Sequence, residues 1–156
     1  MLNIVFLVCN FLNLSNTLLT INSNKIIQVI DKELCYNNNY NKNIIINYES
    51  RIKSRQRIIQ KIQKNRVPYD IYGLRIIYND SNNIYNSQFA YTIKNILISN
   101  FNTLDFLYDD YIANPKINNY QSLHIYVLTN ILIEIQIRNS FMHSVAINGS
   151  ASNYYN

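Results

Sequence analysis

"LHIYVLTNILIEIQIR", residues 123–138, contains two runs of alternating side chains separated by a Thr-Asn pair. The alternation predicts two strands, Leu123–Leu128 and Ile131–Arg138, which the short polar turn joins as an antiparallel hairpin. Because successive side chains of a strand point to opposite faces, the isoleucines at odd positions of the second strand share one face. That face is predicted to pack against the core of the protein.

The opposite face of the same strand carries an acid, an amide and a guanidinium group, from Glu134, Gln136 and Arg138. On the neighbouring strand His124 and Tyr126 alternate with apolar residues, so strand pairing would place a second polar row beside the first. Such rows are compatible with plain solvated surface. They would equally suit a cleft for a phosphorylated ligand and a divalent metal, for which these groups are chemically equipped.

The rest of the chain is read outward from this hairpin. A length of 156 residues fits one domain, with an N-terminal helical segment and polar loop over 1–43 and a core over 44–156. Further patterns predict strands over 44–48 and 70–78 and a helix over 85–99.

The N-terminus is predicted to be a buried helix. Its apolar run Ile4–Cys9 is far shorter than the ~20 residues of a membrane span, and no Lys or Arg precedes it as in a signal peptide. The apolar positions lie near one helical face: Leu2, Val5, Phe6, Cys9 and Leu12. The polar run Cys35–Asn43 then predicts a loop.

Basic residues are concentrated in one segment. Seven of the 14 Lys and Arg residues fall between Arg51 and Arg66, with no acid among them. Ile58, Ile59 and Ile62 recur at helical spacing, which predicts a helix packed by its isoleucines with a basic opposite face. The basic face is either solvated surface or a contact for a polyanion. A polyanion would offset the mutual repulsion of the cations, and the formal net charge of +5 suits phosphate ligands or nucleic acid.

Composition points to an AT-rich genome, because Asn and Ile supply about a third of the chain while Gly and Pro number two each. The bacterial cytoplasm and the stroma of a plastid-type organelle both fit this bias. Cys9 and Cys35 stand alone, so a disulfide framework or zinc site is not expected and a reduced compartment is favoured.

Five ordered motifs resemble the synthetase domain of the RelA/SpoT alarmone family, over roughly residues 48–151. They are RIKSRQRIIQK (51–61), DIYGLR (70–75), DDYIANPKINNYQSLH (109–124), EIQIR (134–138) and MHSVAINGSA (142–151). The resemblance implies an α+β fold similar to the nucleotidyltransferases, with a mixed β-sheet flanked by helices. It also implies transfer of pyrophosphate from ATP to the 3′-hydroxyl of GTP or GDP, which yields (p)ppGpp for the stringent response.

The resemblance assigns roles to individual residues. Asp70 and Glu134 would hold Mg²⁺ and form the catalytic pair, and Glu134 would also accept the proton of the 3′-hydroxyl. An ATP site would comprise two arginines around adenine and two lysines on the phosphates: Arg51, Arg75, Lys53 and Lys61. A GTP site would comprise Tyr120, stacked on guanine, and four surrounding residues: Lys116, Asn118, His124 and Gln136.

Some positions depart from the family pattern. Asn119 replaces a glycine, although Asn tolerates positive φ better than other residues with a side chain, so the turn is expected to survive. Arg57 replaces a serine and adds charge near the ATP phosphates. Leu107 interrupts a charged motif, and Ile147 replaces a glutamate. The last aromatic motif is replaced by Asn153, Tyr154 and Tyr155.

Two other functions remain open, namely a catalytically decayed relative that still binds nucleotide and an RNA-binding module. With only two histidines, the chain cannot build the His-Asp metal motif of the family's hydrolase half. The expectation is therefore a stand-alone small synthetase or a fragment of a longer one. The resemblance also implies a homo-oligomer, no membrane association, and RNA as at most a secondary partner.

Overall fold

In a computed structural model of the chain, residues 2–36 and 43–148 are described, with side chains from residue 14 onward. The helices are α1 (Leu2–Tyr36), α2 (Arg55–Gln63), α3 (Gln88–Asn100) and α4 (Ser140–Asn148), with a 3₁₀ turn at Asp105–Leu107. The strands are β1 (Ile44–Ile52), β2 (Tyr72–Asp80), β3 (Asn102–Thr103), β4 (Asp109–Asp110), β5 (Leu123–Leu128) and β6 (Leu132–Asn139).

The strands form one mixed sheet in the order β1-β2-β6-β5-β3, and β4 also pairs with β5. The β2–β6 pair is parallel, and the other pairs are antiparallel. β5 and β6 form the predicted hairpin, with Leu123 opposite Ile137 and Leu128 opposite Leu132. The predicted α+β fold with a mixed sheet and flanking helices is confirmed.

One face of the sheet packs against α1 and α3, as the alternation in β6 predicted. Ile133, Ile135 and Ile137 are completely buried in this layer. The helices contribute further buried aliphatic side chains: Ile26 and Ile30 from α1, and Ile93 and Leu97 from α3. Each such side chain contributes about 1.5–3 kcal/mol by leaving water, so this layer holds the opposite face of the sheet in place.

Strands β2 and β6 lie two residues and one residue later than predicted, and two other boundaries differ by three residues or more. β1 continues to Ile52, because its pairing with β2 runs without interruption from Ile44 opposite Asp80 to Ile52 opposite Tyr72. α3 begins three residues later than expected, at Gln88. The Oδ1 atom of Asn86 accepts the backbone N–H of Phe89 at 3.3 Å, which satisfies a donor of the first helical turn.

The predicted packing of α2 by its isoleucines is wrong. The helix forms as expected, but none of its residues is buried, and Ile59 and Ile62 are 43% and 56% exposed. The helix follows β1, which lies at the edge of the sheet, so its apolar stripe does not reach the core layer. An ion pair between Lys61 and Asp70 connects α2 to the sheet instead.

The N-terminal helix is confirmed and extends through Cys35 and Tyr36, where a loop was predicted to begin. Residues 37–42 of that loop lie outside the described residues, as do the side chains predicted to form the apolar face: Leu2, Val5, Phe6, Cys9 and Leu12. Cys35 is a free, exposed thiol. Among the described helices, none combines the length and apolarity needed to cross a membrane.

Candidate active site

The sheet face opposite the core carries polar side chains in cross-strand rows. One row comprises Arg51, Gly73, Glu134 and Tyr126, and the next comprises Glu49, Arg75, Gln136 and His124. Glu134, Gln136 and Arg138 are only 4%, 6% and 3% exposed. These three side chains are therefore not plain solvated surface, and the polar face is a candidate site.

The carboxylate of Glu134 is contacted by four side chains. Its Oε1 atom lies 3.1 Å from Nδ1 of His124 and accepts the hydroxyl of Tyr126 at 3.3 Å. Its Oε2 atom accepts the Nε2 amide of Gln136 at 2.9 Å and lies 3.7 Å from Nη2 of Arg51. These partners hold the carboxylate in one orientation on the central strand β6.

The partners also decide the ionisation of Glu134. Burial raises the pKa of its carboxyl, but the hydrogen bond from His124 and the charges of His124 and Arg51 outweigh burial, so the pKa lies below its usual range. Burial, followed by the charges of Glu134 and Asp70, raises the pKa of the neighbouring Tyr126 phenol. At neutral pH an ionised carboxylate therefore faces a protonated phenol.

Asp70, immediately before β2, is the second buried carboxylate. Its Oδ2 atom accepts the ammonium groups of Lys53 and, at 2.8 Å, Lys61. Its buried Oδ1 atom has no hydrogen-bond partner among the described residues. Burial raises the pKa of Asp70, but the two lysines lower it by more, so the group stays ionised.

The lysines reach Asp70 from two different elements. Lys53 lies between β1 and α2, and its backbone N–H bonds the carbonyl of Ile71 at 2.8 Å, which fixes the connection beside the strand entrance. Burial lowers the pKa of Lys53 despite the neighbouring Asp70 charge. Lys61 approaches from the exposed helix α2.

Gly73 makes room for Arg51, and sequence reasoning gave it no role. A Cβ atom at Gly73 would lie 3.3 Å from both Cγ and Nε of Arg51 and 3.7 Å from the carbonyl oxygen of Glu134. The missing side chain therefore lets Arg51 lie across β2 toward Glu134. The sequence held one sign that Gly73 matters: the chain has only two glycines, and this one lies inside a matched motif.

Arg75 occupies the row next to Arg51 on the same face. Its Nη1 atom donates to Oε2 of Glu49 at 2.7 Å, and its buried Nε has no hydrogen-bond partner among the described residues. Adjacent rows on one face are roughly 6.6–6.8 Å apart. That spacing accommodates a flat ring between two guanidinium groups.

The segment that contains Lys116, Asn118 and Tyr120 folds against β5. Tyr120 is only 4% exposed, and its hydroxyl lies 2.9 Å from Nε2 of His124. Nζ of Lys116 lies 4.1 Å from the ring centroid of Tyr111 and 5.5 Å from that of Tyr120. The Oδ1 atom of Asn118 accepts the N–H of Tyr120 at 3.3 Å. A network thus runs from this segment through His124 to Glu134.

The departures from the family pattern fall in different surroundings. Asn119 has φ 60°, so the expected positive-φ turn is confirmed, and its N–H bonds the carbonyl of Lys116 at 2.8 Å. Ile147 is exposed on α4, Leu107 is half-buried at the end of the 3₁₀ turn, and Arg57 is half-buried on α2. Residues 153–155 lie outside the described part of the chain.

Asp110 is a second residue whose role sequence reasoning missed. Its Oδ1 atom accepts the N–H groups of Ala113 at 2.8 Å and Ile112 at 3.1 Å. Its Oδ2 atom also accepts the hydroxyls of Tyr91 and Tyr108, both at 3.1 Å. An aspartate that bonds backbone two and three residues ahead is typical of a turn, so Asp110 anchors the start of the segment that contains Tyr120.

The donor set fits a Mg²⁺ ion that binds together with substrate phosphates. Within residues 14–36 and 43–148, whose side chains are described, no cluster of three or more His, Cys, Asp or Glu side chains is arranged to hold a metal. Asp70 and Glu134 offer two ionised carboxylates, and Oδ1 of Asp70 is unused. Mg²⁺ in phosphoryl-transfer sites is usually bound by one or two carboxylates together with water and substrate phosphates, which matches this set.

Comparisons with known proteins find similarity to the same family as the sequence motifs. The family model described as "Region found in RelA / SpoT proteins" matches residues 50–156. A GTP pyrophosphokinase of Haemophilus influenzae is 38% identical over 103 residues, which cover 62% of this chain and 13% of that protein. The probable GTP diphosphokinase RSH2, chloroplastic, of Arabidopsis thaliana is 33% identical over 110 residues, which cover 67% of this chain and 15% of that protein.

Two solved structures from Bacillus subtilis are similar over most of the chain. Small alarmone synthetase 2 superposes with a TM-score of 0.63 at 28% identity, covering 89% of this chain and 77% of that one. Small alarmone synthetase 1, bound to its product pppGpp, gives a TM-score of 0.62 at 25% identity, covering 83% and 72%. By contrast, this chain spans only 12–15% of the length of the curated relatives.

Proposed function

Because the chain belongs to the RelA/SpoT family, we propose that it is a GTP pyrophosphokinase that makes (p)ppGpp in the stringent response. The reaction would transfer the β,γ-pyrophosphate of ATP to the 3′-hydroxyl of GTP or GDP. One observation carries the proposal: the buried, ionised Glu134 lies on one polar face with Asp70 and the cationic groups of the matched motifs.

Glu134 suits the role of proton acceptor. The 3′-hydroxyl oxygen would form a bond to the β-phosphorus, and the bond from that phosphorus to the α,β-bridging oxygen would break, so that AMP leaves with this oxygen. The hydroxyl proton would pass to Glu134, whose carboxylate is ionised at neutral pH and therefore has an oxygen lone pair to accept it. His124, Tyr126 and Gln136 orient the carboxylate for this transfer.

The donor nucleotide would bind between β1, β2 and α2. The row spacing of Arg51 and Arg75 supports stacking of adenine between their guanidinium planes. Lys53 and Lys61 would bind the phosphates. Asp70 and Glu134 would hold Mg²⁺, which would neutralise charge on the phosphoryl oxygens.

The acceptor nucleotide would bind at the segment around Tyr120, with guanine stacked on the tyrosine ring. Lys116, Asn118, His124 and Gln136 would surround it. Because Tyr120 is buried and its hydroxyl lies against His124, stacking requires the segment to open and the hydroxyl to leave His124. Acceptor binding is therefore expected to change the surroundings of Tyr120.

A transfer assay tests the proposal directly. Purified protein is mixed with γ-labelled ATP, Mg²⁺, and either GTP or GDP, and label should appear in a species more charged than the acceptor. Glu134→Gln should abolish the transfer while its circular dichroism and melting curve stay close to wild type. Absence of transfer from folded wild-type protein, across Mg²⁺ and protein concentrations, would leave the decayed nucleotide-binding relative as the better description.

One observation favours RNA binding as a second property. The helix α2 carries cations along an exposed surface that packs no residue into the core. An electrostatic RNA contact would weaken steeply with salt and would survive Glu134→Gln. Binding of a short single-stranded RNA at two salt concentrations, measured by fluorescence anisotropy, decides whether it exists.

We further propose a homo-oligomer in the bacterial cytoplasm or a plastid-type stroma. The excess of Asn and Ile, which is typical of an AT-rich genome, and the chloroplastic plant relative support these compartments. Light scattering after size-exclusion chromatography measures the oligomeric state.

A further inference from the structure

Two lysines bind Asp70, one of the two carboxylates proposed to hold the metal. Both ammonium groups, from Lys53 and Lys61, bond the same oxygen, Oδ2. The other oxygen, Oδ1, is buried and has no hydrogen-bond partner in the described part of the chain. The carboxylate is therefore neutralised by the protein's own cations and still has one oxygen unused.

The charges around the site disfavour the binding of a bare divalent cation. Three cationic side chains, from Arg51, Lys53 and Lys61, lie against the two carboxylates of Asp70 and Glu134. The site therefore has an excess of positive charge, which repels a divalent ion that arrives alone. A triphosphate brings several negative charges and reverses this balance.

We propose that Lys53 and Lys61 make the Asp70 site selective for a divalent metal–triphosphate complex over the bare metal ion. The inference rests on the proposed donor site. The lysines substitute for the metal at Asp70 until triphosphate oxygens bind their ammonium groups. Asp70 is then free to bind the metal that arrives with the triphosphate.

The two lysines differ in how easily they can make this exchange. The Lys61 side chain is about a third exposed and belongs to α2, which has no buried residue, so it can swing away at little cost. Lys53 is more enclosed and is fixed through its backbone bond to Ile71. Lys61 is therefore expected to release first, with Lys53 remaining as the inner phosphate contact.

Binding of Mn²⁺, followed by loss of the free-ion electron paramagnetic resonance signal, tests the selectivity without any turnover. The nucleotide is α,β-methylene-ATP, in which the bond that breaks in transfer is blocked. Wild type should bind Mn²⁺ at least about tenfold more tightly with this analogue present than without it, which corresponds to ~1.4 kcal/mol. The complex of Mn²⁺ with the analogue alone is measured separately and subtracted.

Removing the lysine charges should reverse the preference. Lys53→Met combined with Lys61→Met should bind bare Mn²⁺ at least about tenfold more tightly than wild type, since the repelling charges are gone. The same protein should bind the analogue more weakly. Adding Asp70→Asn should remove the gain in Mn²⁺ affinity. Lys64→Met, at an exposed lysine just beyond α2, is the matched control and should change neither affinity.

The outcomes separate this inference from the proposed function. One outcome is that wild type binds Mn²⁺ equally with and without the analogue, although calorimetry shows that the analogue binds. That result overturns the selectivity and leaves the synthetase proposal standing. No analogue binding by folded wild type overturns the donor site itself. If the double variant fails to fold, the single variant Lys61→Met on the exposed helix is measured instead. Unchanged affinity for bare Mn²⁺ in that variant overturns the inference.

Discussion

Replacing Gly73 by alanine should weaken ATP binding without destabilising the sheet. The new Cβ atom would lie 3.3 Å from Cγ and Nε of Arg51, so this side chain must shift by a few tenths of an ångström. The backbone of Gly73 is not at positive φ, so alanine fits its conformation. At such positions alanine usually stabilises by about 0.4–1 kcal/mol through the unfolded state, which offsets part of the strain from the close contact.

The expected net change in unfolding free energy is therefore within about 1 kcal/mol, or roughly 2–4 °C in Tm. The displaced Arg51 would lose part of the stacking on adenine that is proposed for it. A loss of about 1 kcal/mol corresponds to a roughly fivefold rise in the KM for ATP. Gly73→Val, with two further methyl groups in the same space, should raise this KM more.

The assay measures the KM for ATP at saturating acceptor, beside melting curves of each variant. Ser50→Ala, at an exposed position of β1, controls for general effects of alanine in this part of the sheet. An unchanged KM for ATP in folded Gly73→Val would refute the argument that this glycine exists to admit Arg51. A Tm loss far above 4 °C in Gly73→Ala would refute the claim that the contact can relax.

Further changes test other parts of the site. Glu134→Gln should lower kcat at least about 100-fold, the low end for a lost general base, while calorimetry shows that nucleotide analogue still binds. Tyr120→Phe, which loses the hydroxyl contact with His124 but keeps the ring, should leave the acceptor KM unchanged or lower it, whereas Tyr120→Ala should raise it about tenfold or more; equal KM values would contradict the stacking role. Because the folded pKa values of Asp70 and Glu134 lie below their unfolded values, their stabilisation is present above about pH 4.5 and is lost as pH falls through the folded pKa values. Urea unfolding at pH 7 and pH 3.5 should show a smaller loss in Asp70→Asn than in wild type. Asn119→Gly should raise stability by up to about 1 kcal/mol, because glycine adopts φ 60° without strain, and a lower midpoint in denaturant would contradict this.

Sequence patterns could predict the hairpin and its two faces because alternation is a property of the strand itself. They could not decide whether the polar face is buried, since that depends on the segments that cover it. The burial of Glu134 and Gln136 became visible only with those segments in place. The positive φ of Asn119 was predictable because a specific backbone conformation is required at that turn.

Two features of the structure could not be predicted from the sequence, for different physical reasons. Helical spacing in Ile59 and Ile62 predicts which residues share a face, but not whether the fold offers that face a surface to pack on. Likewise, the motif around Tyr120 predicts a ligand contact but not that the ring is packed under Lys116 and against His124. The packing of α2 depends on contacts between segments that are distant in sequence, whereas the contacts of Tyr120 reach only four residues along the chain and depend on the conformation of that segment.

The parallel pairing of β2 with β6 has a consequence for synthesis of the chain. Glu134 lies on β6, and Asp70 lies immediately before β2. In sequence, however, α3 and the strands β3, β4 and β5 lie between these two strands. Such non-local pairing raises contact order and delays assembly of the sheet centre. A nascent chain that has not yet released β6 from the ribosome therefore lacks Glu134 beside Asp70. The proposed synthetase activity would then begin only after β6 has emerged from the ribosome.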